Sequence, residues 1–202
     1  MYWNRLGLLT GIVLLIARVA FGGEVKPVDS KMALEPRIIG SDSANLKLVE
    51  YFSFTCPHCA RFHLDIYPKL KEKYIDTGQL QIEFRDFPLD QWALRAAALA
   101  RCVPANFYEP MVGVLMKQQS RWIQSDDIFN SLVKIGQLAG LSKLRAETCM
   151  KDTKLLDGIV AMRMEGSQKY GVDTTPSFLH GTERIKAFEF EEFERWLDKK
   201  IE

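Results

Sequence analysis

At 202 residues the chain fits one ordinary domain, or one domain carrying an insertion, and it is long enough to bury a core. Apolar residues make up 47% and charged residues 26%, which excludes an intrinsically disordered chain. A formal net charge of +1 with no long basic run leaves no electrostatic footprint for nucleic acid.

The N-terminus differs from the rest. Arg5 is followed by an apolar run from Leu6 to Ala17 and by small residues around Ala20 and Gly22. A basic start, a short apolar stretch and a small-residue cleavage site read as a secretory signal over residues 1–23. The alternative is a retained membrane anchor. Against it, the run is shorter than the roughly 20 residues a spanning helix needs, and Arg18 interrupts it. Residues 24–36, polar and bearing Pro27 and Pro36, read as a loose linker, with order beginning near Arg37.

Leu46 to Phe54 is rich in aromatic and branched residues and predicts a strand running straight into Cys56. A helix is expected to start at that cysteine, because Pro57 suits the first helical position, where its missing N–H is not needed. Phe62, Ile66, Leu70 and Tyr74 mark one helical face, and Pro68 within it predicts a kink or break. Gly78 ends the segment. Leu80 to Phe87 alternates as a second strand. Residues 90–156 read as helices: an alanine-rich one from Leu94 to Cys102, another from Tyr108 to Gln119, a third capped at Ser125-Asp126-Asp127, and a short one capped by Ser142 that carries Cys149. A further helix is expected from Leu155 to Tyr170. Strands then return at Ser177 to His180 and Glu183 to Ala187, with Gly181-Thr182 as a two-residue hairpin loop. A final helix places Phe190, Phe193, Leu197 and Ile201 on one face. The pattern predicts an α/β domain, residues 37–89 and 157–202, interrupted by a helical insertion at 90–156.

The chemistry concentrates at Cys56-Pro57-His58-Cys59. A cysteine at a helix N-terminus faces unpaired backbone donors and the positive end of the helix dipole, both of which favour thiolate over thiol. His58 adds to this if it is protonated or donates a hydrogen bond. A stabilised Cys56 thiolate is a better leaving group, so the disulfide becomes more oxidising. Cys59, one turn further in, is the expected buried partner. The same C-x-x-C spacing also occurs in zinc sites. Such a site would need two further ligands from Cys102, Cys149, His63 or His180, and no second C-x-x-C or H-x-x-x-H is present. Placement of the pair between a strand and a helix favours redox chemistry with no metal and no cofactor. An even cysteine count in an exported chain permits two disulfides, but the uneven spacing gives the two pairs different jobs. His63 and His180 are otherwise assigned no role.

The stretch LVEYFSFTCPHCARFH, with its acid at Glu50, aromatic strand and CPHC centre, resembles the DsbA family of bacterial disulfide oxidases, and VDTTPSF at 172–178 resembles that family's cis-proline loop. The likeness runs over residues 37–202. It implies a thioredoxin-like fold with an inserted helical domain. The family is itself the standard illustration of an acidified cysteine and a high potential. By resemblance, Pro176 follows a cis bond after Thr175, and this loop pairs with an extended client peptide. Glu50 would lie beneath Cys59 and help move its proton. Cys102 and Cys149 are similar to the extra, structural disulfide of some alphaproteobacterial members. The resemblance further implies a periplasmic location, reduced client proteins of the cell envelope, a DsbB-type membrane reoxidase, and no nucleic-acid partner. A disulfide isomerase or reductase on the same fold is the competing enzyme reading, supported by Thr175 before the proline. Isomerases of the DsbC type carry an N-terminal dimerisation domain. Only a short linker precedes residue 37, which favours a monomeric oxidase. A non-catalytic binding module using the groove beside Pro176 is the third reading, and the intact C-x-x-C argues against it.

Overall fold

The structure, a computed structural model, describes residues 27–201. The expected secretory signal lies outside the described residues. Within the described part of the expected linker, residues 27–36, Asp29 caps a helical turn, α1 (Ser30–Ala33), by accepting from the Met32 N–H. The short strand β1 (Arg37–Ile39) follows and was not legible as a strand.

Strand β2 (Leu46–Phe52) is the centre of the fold. Side chains alternate across a sheet, so Leu46, Leu48, Glu50 and Phe52 share one face, and Val49 and Tyr51 share the other. The helical run that leaves β2 begins as α2 (Pro57–Arg61), widens into a π-helical turn (Phe62–Ile66), resumes as α3 (Tyr67–Leu70), and widens again (Lys71–Ile75). Pro68 therefore does not break the helix. It stands in the first turn of α3, where no donor is needed, and the wide turn before it absorbs the offset. This run crosses over to β3 (Leu80–Asp86), which pairs parallel to β2 with Glu50 opposite Phe84.

Six helices follow: α4 (Gln91–Arg101), α5 (Ala105–Lys117), α6 (Gln119–Ile123), α7 (Ile128–Leu138), α8 (Lys143–Lys151) and α9 (Thr153–Tyr170). α9 is capped by Asp152 and stops at Gly171, whose φ of 64° is the left-handed conformation glycine adopts freely. It lies on the Tyr51 face of the sheet. A Cβ on Gly166 would come within 2.6 Å of the Tyr51 ring, so glycine sets that approach. The chain then returns as the hairpin β4 (Ser177–His180) and β5 (Glu183–Ile185), turning at Gly181-Thr182, and ends in α10 (Phe190–Ile201). The sheet order is β1-β3-β2-β4-β5, with only β2 and β3 parallel. This is a thioredoxin-like α/β arrangement carrying a layer of helices.

Two buried arginines tie the N-terminal segment and the helical layer to the sheet. Arg101, at the end of α4, forms an ion pair with Asp86 at the end of β3, and neither side chain is more than 2% exposed. Arg101 also donates to the Ala33 and Glu35 carbonyls, and Arg37 donates to those of Ala33 and Arg101. These contacts order a stretch whose composition alone looks like linker. Removing one partner of a buried pair strands the other charge, so Arg101→Met should cost about 3–5 kcal/mol in denaturant unfolding. A loss below about 1 kcal/mol, the range of exposed pairs, would contradict this account of the junction.

Candidate active site

The central strand delivers the site. After Phe52 the chain passes through Ser53, Phe54 and Thr55 to Cys56, which is the N-cap residue of α2, with Pro57 in the first turn. The pair is present as two thiols. Their environments differ. Cys59 is fully buried, and its Sγ lies 3.5 Å from the Ser53 N–H. Cys56 keeps 5% exposure.

The peptide bond between Thr175 and Pro176 is cis. The Thr175 carbonyl accepts from Cys56 Sγ at 3.2 Å, so the loop lies directly against the outer sulfur. β5 holds that loop from behind: Arg184 donates to Asp173, Thr174 and Ser177 at 2.7–3.0 Å. His58 is exposed at the surface.

The electrostatics separate the two sulfurs. The Cys56 thiol is lowered to about 5, chiefly because the Cys59 thiol donates a hydrogen bond to its sulfur. The Thr175 side chain and the backbone N–H groups of Cys59 and His58 act in the same direction, against burial. His58 thus enters through its main chain, where the sequence pointed to its ring. Cys59 is pushed well above the ordinary thiol range by burial, then by its bond to Cys56 and by the nearby Glu50 carboxylate.

Glu50 is fully buried on the face of β2 that meets the active-site helix, and burial raises its carboxyl. Its Oε2 lies 3.2 Å from His63 Nε2. His63, four residues after Cys59, is therefore packed under the site, between the rings of Phe52 and Phe84 at 5.2 and 5.1 Å. Cys102 and Cys149 stand apart. They form a disulfide with S–S 2.08 Å that joins the end of α4 to α8, and so neither offers a thiolate for a metal site with Cys56 and Cys59.

The helical layer grips the active-site turn at two points that the sequence did not announce. Gln119 of α6 donates its side-chain amide to the carbonyls of both Phe54 and Cys56, each at 2.9 Å. Asp90, the cap of α4, accepts from the Thr55 hydroxyl at 2.6 Å. A glutamine or aspartate in a helical block carries no signal of such distant partners. Beside the sulfurs lies a cavity of about 490 Å³ lined by His58, Arg61, Phe62, Pro176, Phe178 and Phe188 among others. Phe188 is 60% exposed there, and Arg61 pairs with Glu189.

Comparison with known proteins agrees with this geometry. A protein-family model described as Thioredoxin matches residues 33–199. The crystal structure of Wolbachia pipientis alpha-DsbA1 is 30% identical and superposes with a TM-score of 0.76, covering 83% of this chain and 91% of that one. The chain belongs to the DsbA family. A relative from Rickettsia typhi, provisionally named a protein-disulfide oxidoreductase, is 32% identical over 166 residues, covering 82% of this chain and 62% of the relative. The chain thus spans less than two thirds of the length of that relative. Bacillus subtilis BdbD, 19% identical with a TM-score of 0.73 over 82% of this chain and 92% of that one, shares the fold.

Gln119→Leu tests the grip on the DsbA-type turn. The Cys56 carbonyl also accepts from the Ala60 N–H, so the variant orphans chiefly the buried Phe54 carbonyl. The expected loss is about 1–3 kcal/mol in denaturant unfolding. Unchanged stability would remove Gln119 from the support of the site.

Proposed function

We propose that this protein is a thiol:disulfide oxidoreductase of the cell envelope that introduces disulfide bonds into exported proteins through Cys56 and Cys59. The observation that carries the reading is the opposition of the two sulfurs: one thiol lowered to about 5, the other raised and sealed. A client thiolate attacks Cys56 of the oxidised pair, a client–Cys56 disulfide forms, and Cys59 leaves and is protonated. A second client thiolate then attacks the client sulfur and releases Cys56, the better leaving group. The groove at Phe188 and the backbone of Thr175 beside Cys56 supply an apolar wall and a strand-like edge for an extended client. Glu50 serves Cys59 as a proton acceptor and donor, and the Cys102–Cys149 bond braces the helical layer.

A periplasmic site and a DsbB-type membrane reoxidase complete the reading. They rest on the secretory pattern of residues 1–23, on the family, and on the B. subtilis relative named disulfide bond formation protein D, 25% identical over 175 residues. Among the described residues no helix is long and apolar enough to cross a membrane. Isomerase action on the same fold is the second reading, favoured by Thr175 against Cys56.

The equilibrium with glutathione, measured with Cys102–Cys149 intact, tests the oxidase. A stabilised thiolate predicts ready reduction of Cys56–Cys59 by glutathione, whereas resistance would turn the reading to a reductase. The same cause has a pH signature. The folded Cys56 value, about 5, lies below the ordinary 9.0, so thiolate stabilisation of the reduced chain is full above the ordinary value and falls as pH drops toward 5. The unfolding free energy of the reduced chain, relative to the oxidised one, should rise steadily with pH across that window. A flat difference would contradict it.

A further inference from the structure

Cys59 takes up or releases a proton whenever its disulfide is broken or remade, yet it has no exposure to solvent. Glu50 is sealed as well. A proton that reaches the Glu50 carboxyl is therefore still inside the protein, and the thioredoxin-type site alone provides no way out.

His63 provides one. Its Nε2 approaches Glu50 Oε2 at 3.2 Å, and neither Glu50 oxygen nor Nε2, all buried, has a hydrogen-bond partner elsewhere. The pair is thus poised, with polar atoms that no other group occupies. The ring also borders a second cavity, of about 420 Å³, open to solvent and lying between the active-site helix and α5. Tyr67, Lys71, Glu109 and Gly113 line it, with the Tyr67 hydroxyl donating to Glu109 at 2.7 Å. Lys71 reaches the surface, where it pairs with Asp76. This cavity shares no lining residue with the groove beside Cys56. The ionisable groups around the pair are Cys56 and Cys59 from the active-site turn, Tyr67 and Lys71 from the same helical run, and Tyr108 and Glu109 from α5.

We infer that Glu50 and His63 form a buried relay through which Cys59 exchanges its proton with the cavity beside Glu109, on a side of the active-site helix that a bound client leaves open. The inference rests on Cys56 and Cys59 being the working redox pair. When a client thiolate attacks Cys56, the new S–S bond forms, the Cys56–Cys59 bond breaks, and Cys59 leaves with the electron pair. Glu50 gives it a proton, His63 replaces that proton from Nε2, and cavity water restores the imidazole at Nδ1. In the reverse direction each proton retraces the path. No oxidant or reductant beyond the client pair is needed. His63 acts on Cys59 only through Glu50.

The test is the rate at which dithiothreitol reduces the Cys56–Cys59 disulfide of the full chain, in H₂O and D₂O. His63→Gln keeps a polar side chain but cannot carry a proton, and is expected to slow the Cys59-releasing step by about 100-fold. Glu50→Gln should slow it comparably, and the double variant should be no slower than the Glu50 variant, because one path is cut twice. Alkylation of Cys56 in His63→Gln should keep its midpoint near pH 5, a result that general loss of structure would not give. Gly113→Leu places an apolar side chain in the cavity and leaves Glu50 and His63 themselves unchanged; a Cβ there meets nothing within 4 Å, so this variant tests the exit even if His63→Gln folds poorly. It should slow the same step by about tenfold and reduce its solvent isotope effect toward that of His63→Gln. If Glu50→Gln is slow while His63→Gln and Gly113→Leu keep the parent rate, the relay is overturned and the redox site stands. If the reduced protein shows an ordinary Cys56 thiol, the site reading itself has failed.

Discussion

The active site depends on the unequal setting of two sulfurs. Burial pushes the Cys59 thiol up, and that thiol is the first cause that lowers Cys56 to about 5. Cys59 cannot carry charge where it lies, so it keeps its proton and lends it to Cys56. Exchanging the two environments would reverse the asymmetry. The sheet, the crossover helix and the cis-proline loop all contribute to holding one sulfur at the surface and its partner one turn below. The period-two alternation of β2 puts Glu50 on the face beneath that turn, while Tyr51 points away into the packing with α9.

The helical layer supports this arrangement from outside the α/β unit. Gln119 holds the carbonyls on either side of Thr55, Asp90 takes the Thr55 hydroxyl, and Arg101 binds the layer to the end of β3. The Cys102–Cys149 bond lies one residue past Arg101 and closes α4 onto α8. Movement of the layer would therefore be felt at the active-site turn through side-chain amides and carboxylates. The layer also forms one wall of the cavity at Glu109, so it touches both the hydrogen bonds that shape Cys56 and the space behind His63.

Local signals made part of this visible in the sequence. A strand running into Cys-Pro-His-Cys, a capped helix ending at Gly171 and a two-residue turn at Gly181-Thr182 are short-range patterns, and residue types alone reveal them. β1 was not legible because three residues become a strand only when β3 offers an edge. The stretch before Arg37 read as linker because its order comes from arginines far along the chain. His63 was discounted for the same reason: nothing near it in sequence shows that strand periodicity places Glu50 against its ring. Gln119 and Arg184 likewise act across distances that composition does not encode.

The most direct test of the account is the thiolate titration of Cys56 in the reduced, otherwise intact protein, followed by the pH dependence of its alkylation. The account predicts a midpoint near pH 5, with Cys59 unreactive throughout the neutral range. A Cys56 midpoint at the ordinary thiol value of 9.0, or equal reactivity of the two cysteines, would contradict it.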